Sequence, residues 1–595
     1  MEEWIARHAV PLTTVEAGNG FADLRAIGEM VGDARIVSLG EPTHGNREVF
    51  QLKHRLVEYL VEEKGFTLFA LECPFGEAFD VNRYILGGEG TAEEALAGLY
   101  YWTWDTREFV DLLQWMRAYN ADPAHPAKIK FYGIDMQDPE RSARRTLEYL
   151  REVDPDLWAS VAPALGILQI QFSDPIYLGR RPYIPRESDA RSVGAMERVS
   201  EALDHKKDTY VRATSLREWA LARQYARQVE RYLAASRNDG ERWEVIRDKT
   251  QAENIQWALD AEGDSSKLVV WAHNCHVSNS VFRRDVPMHG RYLRQLYGDQ
   301  LKILGLFFDQ GSFRALDVNE PSRGMRAFTV GAAPAGTLEH TLASAQQPLM
   351  ALDMHALPDS GRVHAWFHAP HPTRHSGAGY HDHRPEDYLW PYIPAEAFDV
   401  LVYLERTTPV VPVDERVYAH LWLLDPREPA PANLDFEAGD PAAPLPHWTV
   451  WSKFARLGVT TTVTDANPYA GQYAARLHRP PGVSFGEITP NLTQRIDATP
   501  YRGRRILIRA AARARVEAPG FAFFRATIDP ATADGAHDGL PPLFDSHDRI
   551  RIAAPAWTVY EIEATVPASA GSITYGVYLR DPGTVWMDAV SVEVR

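Results

Sequence analysis

Several ionisable side chains of this 595-residue chain follow short apolar runs and stand where each run ends. They are Glu41, His44, Glu72, Asp135, His273 and His276. An imidazole can remove a proton from water, and a carboxylate can fix the tautomer of that ring. A second imidazole can meet the negative charge of a developing oxyanion. If these residues share one place in the fold, they predict hydrolysis by activated water.

His44 is the predicted general base. Glu41 precedes it by three residues, and the sequence predicts a helix that begins just after His44. The positive end of a helix dipole disfavours an imidazolium, which keeps the ring neutral and basic. A second histidine of the set, or its cation, would meet the negative charge of the oxyanion.

A metal site is the alternative chemistry. His273 and His276 form the pattern His-x-x-His, and zinc or manganese could bind them with Glu41, Glu72 and His44. The zinc-protease pattern His-Glu-x-x-His is absent from the sequence. We therefore expect no cofactor and no metal, and keep a divalent metal as the alternative.

Nucleophilic catalysis has less support. The two cysteines, Cys73 and Cys275, are too few for a disulfide scaffold, and we interpret them as mostly buried thiols. A Gly-x-Ser-x-Gly pattern occurs at residues 482–486, within a β-rich region. A nucleophilic serine elbow requires a strand followed by a helix, so we attribute this pattern to chance.

The elements that would position these residues alternate between strands and helices. Six apolar runs predict buried parallel strands: Arg35–Leu39, Phe66–Leu71, Ile129–Gly133, Leu268–Ala272, Ile303–Phe308 and Val400–Leu404. Between the first two, apolar residues recur at helical spacing from Glu48 to Glu63, and Gly65 ends the run. This alternation predicts an α/β fold with a mostly parallel sheet and helices on both faces. Ligands bind beyond the carboxyl ends of such strands, where the ionisable residues lie.

Three further regions are indicated by the pattern. Residues 139–262 predict a helical insertion within an α/β catalytic domain of residues 1–425. Residues 426–432 are rich in proline and alanine and predict a linker. Residues 433–595 contain short alternating runs separated by turn residues, which predicts an all-β jelly roll or sandwich. The histidine-rich segment 364–383 is interpreted as a mobile loop that contacts ligand.

Composition excludes several classes of protein. The formal charge of −17 argues against a general nucleic-acid binder. We find no apolar run of about 18 residues, so we expect no membrane partner. The first ten residues lack the positive charge and apolar stretch of a secretory signal, which predicts a cytoplasmic protein.

Motifs along residues 20–415 resemble those of the erythromycin esterase family, and they occur in the family's order. The matching stretches are Gly40–Gly45 followed by Glu48, Val49, Phe50 and Lys53; Gly65–Glu72; Gly133–Asp135; Arg247–Asn254; Ala272–His276; and Phe398–Thr408. The resemblance implies an antibiotic-resistance hydrolase that opens the lactone ester of macrolides by direct attack of water, without a covalent intermediate.

The same resemblance assigns roles to residues of this chain. It implies that His44 is the general base, and that Glu41, Glu72, His273 and His276 complete the catalytic set. Lys53 and Asp135 are assigned to substrate binding, with Lys53 at a position where members of the family can carry arginine. A lysine lacks the planar fork of an arginine, so the substrate contact there is expected to differ.

The C-terminal region resembles a jelly roll of the carbohydrate-binding-module type. Trp448, Trp451 and Trp586 could stack on sugars, although aromatic residues of a small sandwich core are the commoner explanation. The expected partner is a small-molecule ester, with a glycan contact through the C-terminal domain as a further hypothesis. Two alternative functions remain: a metal-dependent hydrolase of another ester or amide, and a glycan-binding or polysaccharide-assembly protein.

Overall fold

The structure is a computed structural model of the full chain. It describes residues 1–99, 101–165, 168, 186–236, 240–282, 286–318, 325–413, 427–441, 445–449, 459–481, 489–517, 520–531, 542–547 and 549–595. The Gly-x-Ser-x-Gly pattern at 482–486 and Trp451 lie outside these residues. The chain forms two compact units: Met1–Leu165 with Ala190–Tyr418, and Gly166–Asp189 with Ala419–Arg595.

The first unit is built around a ten-stranded, mostly parallel sheet. Eight strands follow the order Val10–Pro11, Leu349–Asp353, Val400–Thr407, Leu301–Asp317, Ile36–Leu39, Leu268–Trp271, Leu68–Pro74 and Lys130–Asp135. The strands Gly379–Tyr380 and Met325–Val330 also pair with Leu301–Asp317. The pairings from Val400–Thr407 to Lys130–Asp135 are parallel, whereas Leu349–Asp353 is antiparallel to its neighbours. All six predicted strands are present.

Helices surround this sheet. Those outside the predicted insertion are Glu2–His8, Arg25–Val31, Arg47–Lys64, Ala78–Ile85, Ala92–Ala97, Arg107–Ala121, Asn274–Val277, His289–Tyr297, Leu338–Leu342, Gly361–Phe367 and Pro394–Ala397. Short 3₁₀ turns lie at Trp102–Trp104, Gly298–Gln300, Ala343–Ala345, Met354–Ala356 and Pro385–Tyr388. Gly65 ends the helix Arg47–Lys64 in a left-handed conformation with φ 74°, which a glycine adopts without a steric cost.

The sheet is buried on both faces. Alternate residues of its strands belong to two hydrophobic cores, as Val269 and Trp271 pack on one face and Leu268 and Val270 on the other. The helix Arg47–Lys64 contributes to the first core, and apolar residues 252–259 contribute to the second. The predicted α/β class, with helices on both faces of a mostly parallel sheet, is confirmed.

The predicted insertion is helical in its described residues. It contains the helices Glu140–Val153, Pro155–Leu165, Arg186–His205, Lys207–Ala213, Leu216–Ser236 and Gly240–Glu262. The last of these leads directly into the strand Leu268–Trp271, whose carboxyl end carries His273 and His276. The insertion therefore rejoins the sheet at the amino end of the strand that leads to His273 and His276.

The histidine-rich segment 364–383 is more regular than the predicted loop. It contains the end of the helix Gly361–Phe367, the strand His371–Arg374 and the strand Gly379–Tyr380. His371–Arg374 pairs with Leu389–Tyr392, and a separate small sheet joins Val281–Phe282 to Val286–Pro287. The interpretation as a mobile loop was wrong because backbone pairing fixes the middle of this segment.

The C-terminal unit is a sandwich of two sheets. One has the strand order Arg427–Glu428, Asn491–Asp497, Ala570–Leu579, Ala522–Pro530 and Phe544–Asp545, with Ile550–Ile552 also paired to Ala522–Pro530. The other has the order Thr460–Thr464, Ala474–Arg479, Gly583–Val594, Arg505–Val516 and Thr558–Thr565. Inner residues of both sheets form one core, and a 3₁₀ turn lies at Thr499–Tyr501. The all-β class is confirmed, and its first strand lies within the predicted linker.

Two tryptophans that were considered as sugar contacts have different surroundings. Trp448 belongs to the sandwich core, and its Nε1 donates to the carbonyl oxygen of Asn433 at 2.9 Å. Trp586 is half-buried beside the guanidinium of Arg513. The burial of Trp448 contradicts a sugar-stacking role for that residue.

Among the described residues, no helix combines the length and the apolar character that crossing a membrane requires.

Candidate active site

The order of the strands brings the predicted residues together. Ile36–Leu39, Leu268–Trp271, Leu68–Pro74 and Lys130–Asp135 are consecutive in the sheet and parallel. Their carboxyl ends therefore meet at one edge, although residues 130–135 and 268–271 are far apart in sequence. Glu41 and His44 come after the first of these strands, and His273 and His276 come after the second.

A glycine allows the first two of these loops to meet. A Cβ atom on Gly40 would lie 2.0 Å from Oδ1 of Asn274. The Asn274 side chain is buried and held by the Leu306 backbone: its Nδ2 donates to the carbonyl oxygen at 2.7 Å, and its Oδ1 accepts the N–H at 3.3 Å. The backbone N–H of Asn274 also donates to the carbonyl oxygen of Glu41 at 2.8 Å. The residue type at position 40 thus fixes how closely the loops of Glu41 and Asn274 approach each other.

Glu41 and His44 form a hydrogen-bonded dyad. Nδ1 of His44 lies 2.7 Å from Oε1 of Glu41, which assigns the Nδ1–H tautomer to the neutral ring. Nε2 then keeps its lone pair. Within the described part of the chain, Glu41 is the hydrogen-bond partner of the His44 ring, and Nε2 remains for a ligand or a water molecule. This is the arrangement that a general base requires.

Two buried donors hold Glu41 in place. Lys53 Nζ donates to Oε2 of Glu41 at 2.7 Å, and Nε1 of Trp271 donates to the same oxygen at 2.8 Å. The Lys53 ammonium also lies 4.2 Å from the centre of the Trp271 ring. Burial lowers the pKa of Lys53 to about 8, against the attraction of Glu41. The ammonium therefore opposes the Glu41 charge and leaves Oε1 for His44.

Arg247 links two neighbouring strands of the site. Its guanidinium donates to Oδ2 of Asp135 at 2.6 Å and to Oε1 of Glu72 at 2.7 Å. Burial alone would lower the pKa of Arg247, but Asp135 and Glu72 hold it well above its usual value. Burial would raise the pKa of Glu72, yet the charges of His276 and Arg247 hold it below its usual range. Both Arg247 and Glu72 therefore stay charged.

His276 forms a second imidazole–carboxylate dyad. Its Nδ1 lies 2.8 Å from Oδ1 of Asp248, and its Nε2 lies 3.0 Å from Arg247 Nη1 and 3.3 Å from Oε1 of Glu72. Burial would lower the pKa of His276, but Asp248 foremost, with Glu72, raises it well above its usual value. The Arg247 contact suits the neutral ring and the Glu72 contact suits the charged one. We favour the charged ring, because two carboxylates lie within reach of its nitrogens.

His273 has the opposite environment. Its Nε2 lies 3.1 Å from the carbonyl oxygen of Pro42, which makes Nε2 the protonated nitrogen, and Nδ1 accepts the backbone N–H of Cys275 at 3.3 Å. Burial and the neighbouring His44 lower the pKa of His273 well below its usual value. The rings of His273 and His44 lie 5.2 Å apart, centre to centre. His273 is thus a neutral ring that packs against the dyad of His44.

Exposure separates the site into two layers. The side chains of Arg247, His276 and His44 are 15%, 12% and 11% exposed. The carboxylates behind them are more deeply buried, with Glu41 and Asp135 at 0%, Asp248 at 1% and Glu72 at 6%. The site side chains that keep some exposure are therefore two imidazoles and one guanidinium, and the carboxylates that contact them are buried.

The structure brings together all five predicted catalytic residues, Glu41, His44, Glu72, His273 and His276, around this edge. Lys53 and Asp135, predicted to contact substrate, are fully buried and bind Glu41 and Arg247 respectively. Their positions favour a role in orienting Glu41 and Arg247 over a direct contact with substrate.

Three further residues were not among the predicted site residues. Arg247 and Asp248 lie on the last insertion helix, and their only sequence signal was the family resemblance. His375 comes from the histidine-rich segment, and its ring lies 4.3 Å from that of His273. The histidine content of that segment signalled a ligand contact, but the sequence did not distinguish His375 from its neighbours.

The predicted metal-ligand set is not gathered around one point. Among the described residues, the groups whose ligand atoms all lie within 4.8 Å of one another are His273, Cys275 and His375, and Asp248, His276 and His289. His44 and His276 instead use their Nδ1 atoms to bind carboxylates.

The fold and the site define an α/β protein with a histidine–carboxylate centre at the carboxyl edge of its sheet. The sequence profile described as erythromycin esterase matches residues 61–407, more than half of the chain. The chain belongs to the erythromycin esterase family.

Individual relatives agree with this placement. Erythromycin esterase type II of Escherichia coli is 25% identical over 339 residues, which cover 53% of this chain and 78% of the relative. A Bacillus cereus protein of known crystal structure is 26% identical, with a TM-score of 0.61, over 69% of this chain and 98% of that protein. Both alignments leave part of this chain uncovered.

The C-terminal region aligns with a carbohydrate-binding module. The xylan-binding CBM22-1 domain of Paenibacillus barcinonensis Xyn10C is 13% identical, with a TM-score of 0.20, over 27% of this chain and 90% of that domain. The assignment of this region to the β-sandwich class rests on its own two sheets.

Proposed function

We propose that this protein hydrolyses a carboxylic ester, foremost a macrolide-type lactone, with water activated by His44 and without a covalent intermediate. The observation that carries the proposal is the layered site. The ring of His44 lies 5.2 Å from that of His273, centre to centre, and His44 acts electrostatically on Glu72, the carboxylate that Arg247 and His276 contact. The side chains of His44, Arg247 and His276 each keep a small exposed fraction. A base and an oxyanion-stabilising pair are the two parts that this hydrolysis needs.

The first step uses the Glu41–His44 dyad. A water molecule hydrogen-bonded to His44 Nε2 attacks the ester carbonyl carbon while the ring takes one of its protons. The ring becomes an imidazolium, and Glu41 stabilises this charge through the 2.7 Å hydrogen bond to Nδ1. Lys53 and Trp271 keep the carboxylate oriented toward the ring throughout.

We assign stabilisation of the charge that develops on the carbonyl oxygen to a pair of cationic side chains. Arg247 and the charged form of His276 offer the donors, and Glu72, Asp135 and Asp248 hold them in position. The tetrahedral intermediate then collapses. His44 returns its proton to the leaving alkoxide, which gives a carboxylic acid and an alcohol. For a lactone, both products remain in one opened chain.

The proposed substrate class rests on the relatives. The E. coli relative is named an erythromycin esterase. The base and the oxyanion-stabilising pair act on the ester group itself, so their chemistry does not depend on one particular ester. We therefore place macrolactones first and other bulky esters second.

The test is hydrolysis of erythromycin and related macrolides by the full chain, followed by mass spectrometry. We expect a product heavier by one water molecule. The variant His44→Gln should lower kcat by a factor of about 10² to 10⁴, because it removes the base while it keeps a polar side chain. Circular dichroism and the thermal unfolding midpoint should stay close to those of the unchanged protein.

The matched control is His205→Gln, at an exposed histidine that ends the helix Arg186–His205. It should retain full activity. If His44→Gln hydrolysed the substrate at the control rate, His44 would not be the base. If a substrate-derived ester were trapped on the protein in the unchanged enzyme, direct attack by water would be wrong.

A further inference from the structure

Three side chains of types that bind metals form a cluster, and one of them, His273, packs against His44. His273 and Cys275 come after the strand Leu268–Trp271, and His375 comes from the histidine-rich segment one hundred residues later. One ligand atom from each of the three lies within 4.8 Å of the other two. The proposed hydrolysis uses neither the Cys275 thiol nor the His375 ring. The proposed hydrolysis therefore does not explain why Cys275 and His375 lie next to His273.

The hydrogen bonds of His273 prepare that ring for a metal ion. Its Nε2–H donates to the carbonyl oxygen of Pro42 at 3.1 Å, so the lone pair resides on Nδ1. Histidines that bind metals almost always donate their other ring N–H to a carbonyl or carboxylate oxygen. Nδ1 already accepts a hydrogen bond from the backbone N–H of Cys275. This bond is long, at 3.3 Å, and an ion would replace it at little cost in free energy.

The ring of His375 is also held in a defined orientation. It stacks on Trp390 with 3.6 Å between ring centres, and its Nδ1 lies 3.3 Å from the hydroxyl of Tyr392. The backbone N–H of Ser376 donates to the carbonyl oxygen of Pro42 at 3.0 Å. Pro42 thus fixes both the His273 ring and the segment that carries His375. The same carbonyl oxygen thus accepts from the His273 ring and from the backbone next to His375.

We propose that His273, Cys275 and His375 form a binding site for one zinc ion or a similarly soft divalent cation. Two nitrogens and one sulfur are ligands that zinc prefers, and a water molecule would complete the tetrahedron. Ligand atoms of such a site lie about 3.5 Å apart, so closure requires side-chain movements of about 1 Å. Cys275 is partly exposed, which leaves a route of entry for the ion.

The charge around this cluster favours it over the neighbouring group of Asp248, His276 and His289. There, Asp248 already accepts hydrogen bonds from His276 Nδ1 and from the backbone N–H of His289. Arg247 lies 3.0 Å from His276 Nε2 and would repel a dication. Asp248 and His289 are also fully enclosed. An ion would have to displace existing bonds beside a positive charge.

Binding has a simple proton balance. Zinc bonds form to a nitrogen of His273, a nitrogen of His375 and the sulfur of Cys275, and one of its water ligands remains. The Cys275 S–H bond breaks, and the proton leaves to solvent. No electron is transferred, so no oxidant or reductant is needed. The ion would join the His273 loop to the segment of His375.

In the first experiment, EDTA and dialysis remove bound metal from the full chain, zinc is then supplied, and the zinc that binds is measured. We expect one zinc ion per chain by elemental analysis, and a higher thermal unfolding midpoint with zinc, because a ligand of the native state stabilises it. Cobalt(II) should give a thiolate-to-metal absorption band. Cys275→Ser should abolish that band, and both Cys275→Ser and His375→Gln should weaken zinc binding by at least about tenfold.

His368→Gln is the matched control, since His368 is an exposed histidine of the same segment whose ring contacts the carbonyl oxygen of His364. It should bind zinc as the unchanged protein does. The proposal is overturned if the unchanged protein retains no zinc, or if Cys275→Ser and His375→Gln bind it with unchanged affinity. Loss of zinc in His289→Gln with full binding in Cys275→Ser would place the ion in the other cluster. These readouts are independent of ester hydrolysis.

Discussion

Side chains of opposite charge contact one another throughout the site. The ring of His44 is hydrogen-bonded to Glu41, Glu41 is hydrogen-bonded to Lys53, and Arg247 stands between Glu72 and Asp135. Each of these buried carboxylates has a cationic or N–H partner, as burial of charge requires. Burial is unfavourable for the ammonium of Lys53, because this charged group is fully removed from solvent.

The Lys53 ammonium makes stability depend on pH. Its pKa is lowered from 10.5 to about 8, so between these pH values the unfolded chain binds more protons than the native one at this position. The contribution of Lys53 to the free energy of unfolding is therefore lowest below pH 8. It rises toward pH 10.5 by up to about 3 kcal/mol. Lys53→Arg keeps the positive charge throughout that range and should not show the rise.

The measurement compares urea unfolding of the unchanged protein and Lys53→Arg at several pH values between about 7 and 10.5. The difference in unfolding free energy should grow in favour of the unchanged protein as the pH increases. A difference that stays constant across the range would mean that Lys53 keeps its ordinary pKa in the fold.

The carboxyl ends of four neighbouring strands and one insertion helix meet at the site. Glu72 and Asp135 belong to the carboxyl-terminal parts of two strands, and the connections after the other two strands supply Glu41, His44 and His273. The helix Gly240–Glu262 adds Arg247 and Asp248, which are adjacent in its amino-terminal half. The close approach of the loops after Ile36–Leu39 and Leu268–Trp271 depends on the absence of a side chain at position 40.

Gly40→Ala should therefore disturb the site. Its new methyl group would meet Oδ1 of the buried Asn274, and moving that side chain would break its hydrogen bonds to Leu306. We expect a loss of about 1–3 kcal/mol in unfolding free energy, as for other overpacked cores, and a fall in kcat. Gly331→Ala is the control, because nothing lies within 4 Å of a Cβ atom there. Equal unfolding midpoints for the two variants would refute the tight approach.

The molecule as a whole combines an α/β unit that carries the candidate site with a β-sandwich that has its own core. The two units are stabilised by separate sets of buried residues, and each should respond to substitutions in its own core. Trp448 anchors the sandwich, since it packs against Phe436 and Tyr575 with ring centres 5.1 and 5.9 Å away.

Trp448→Ala should destabilise the sandwich by about 3–5 kcal/mol, because it leaves a cavity and removes the hydrogen bond to Asn433. Trp586→Ala, at a half-buried residue beside Arg513, should cost much less. Scanning calorimetry of the full chain should show a lowered transition for Trp448→Ala, with unchanged ester hydrolysis. Equal shifts for both variants would show that Trp448 is not the core residue described.

Local sequence signals were sufficient to predict six of the ten strands in the main sheet of the α/β unit, and the residues at their carboxyl ends. Short hydrophobic runs mark buried strands, and parallel strands bring the residues after them to one edge of the sheet. For this reason Glu41, His44, Glu72, His273 and His276 could be named without coordinates. The same signals separated the helical insertion and the β-rich C-terminal region from the α/β unit.

Only the tertiary structure shows which side chains of the site contact one another. Lys53 turns inward to Glu41, Arg247 reaches Asp135 across more than one hundred residues of sequence, and His375 comes to rest against His273. Such pairings depend on how helices pack on the sheet and on the direction of each side chain. Local patterns do not encode these, because the partners are distant in sequence and their contacts form when the cores assemble.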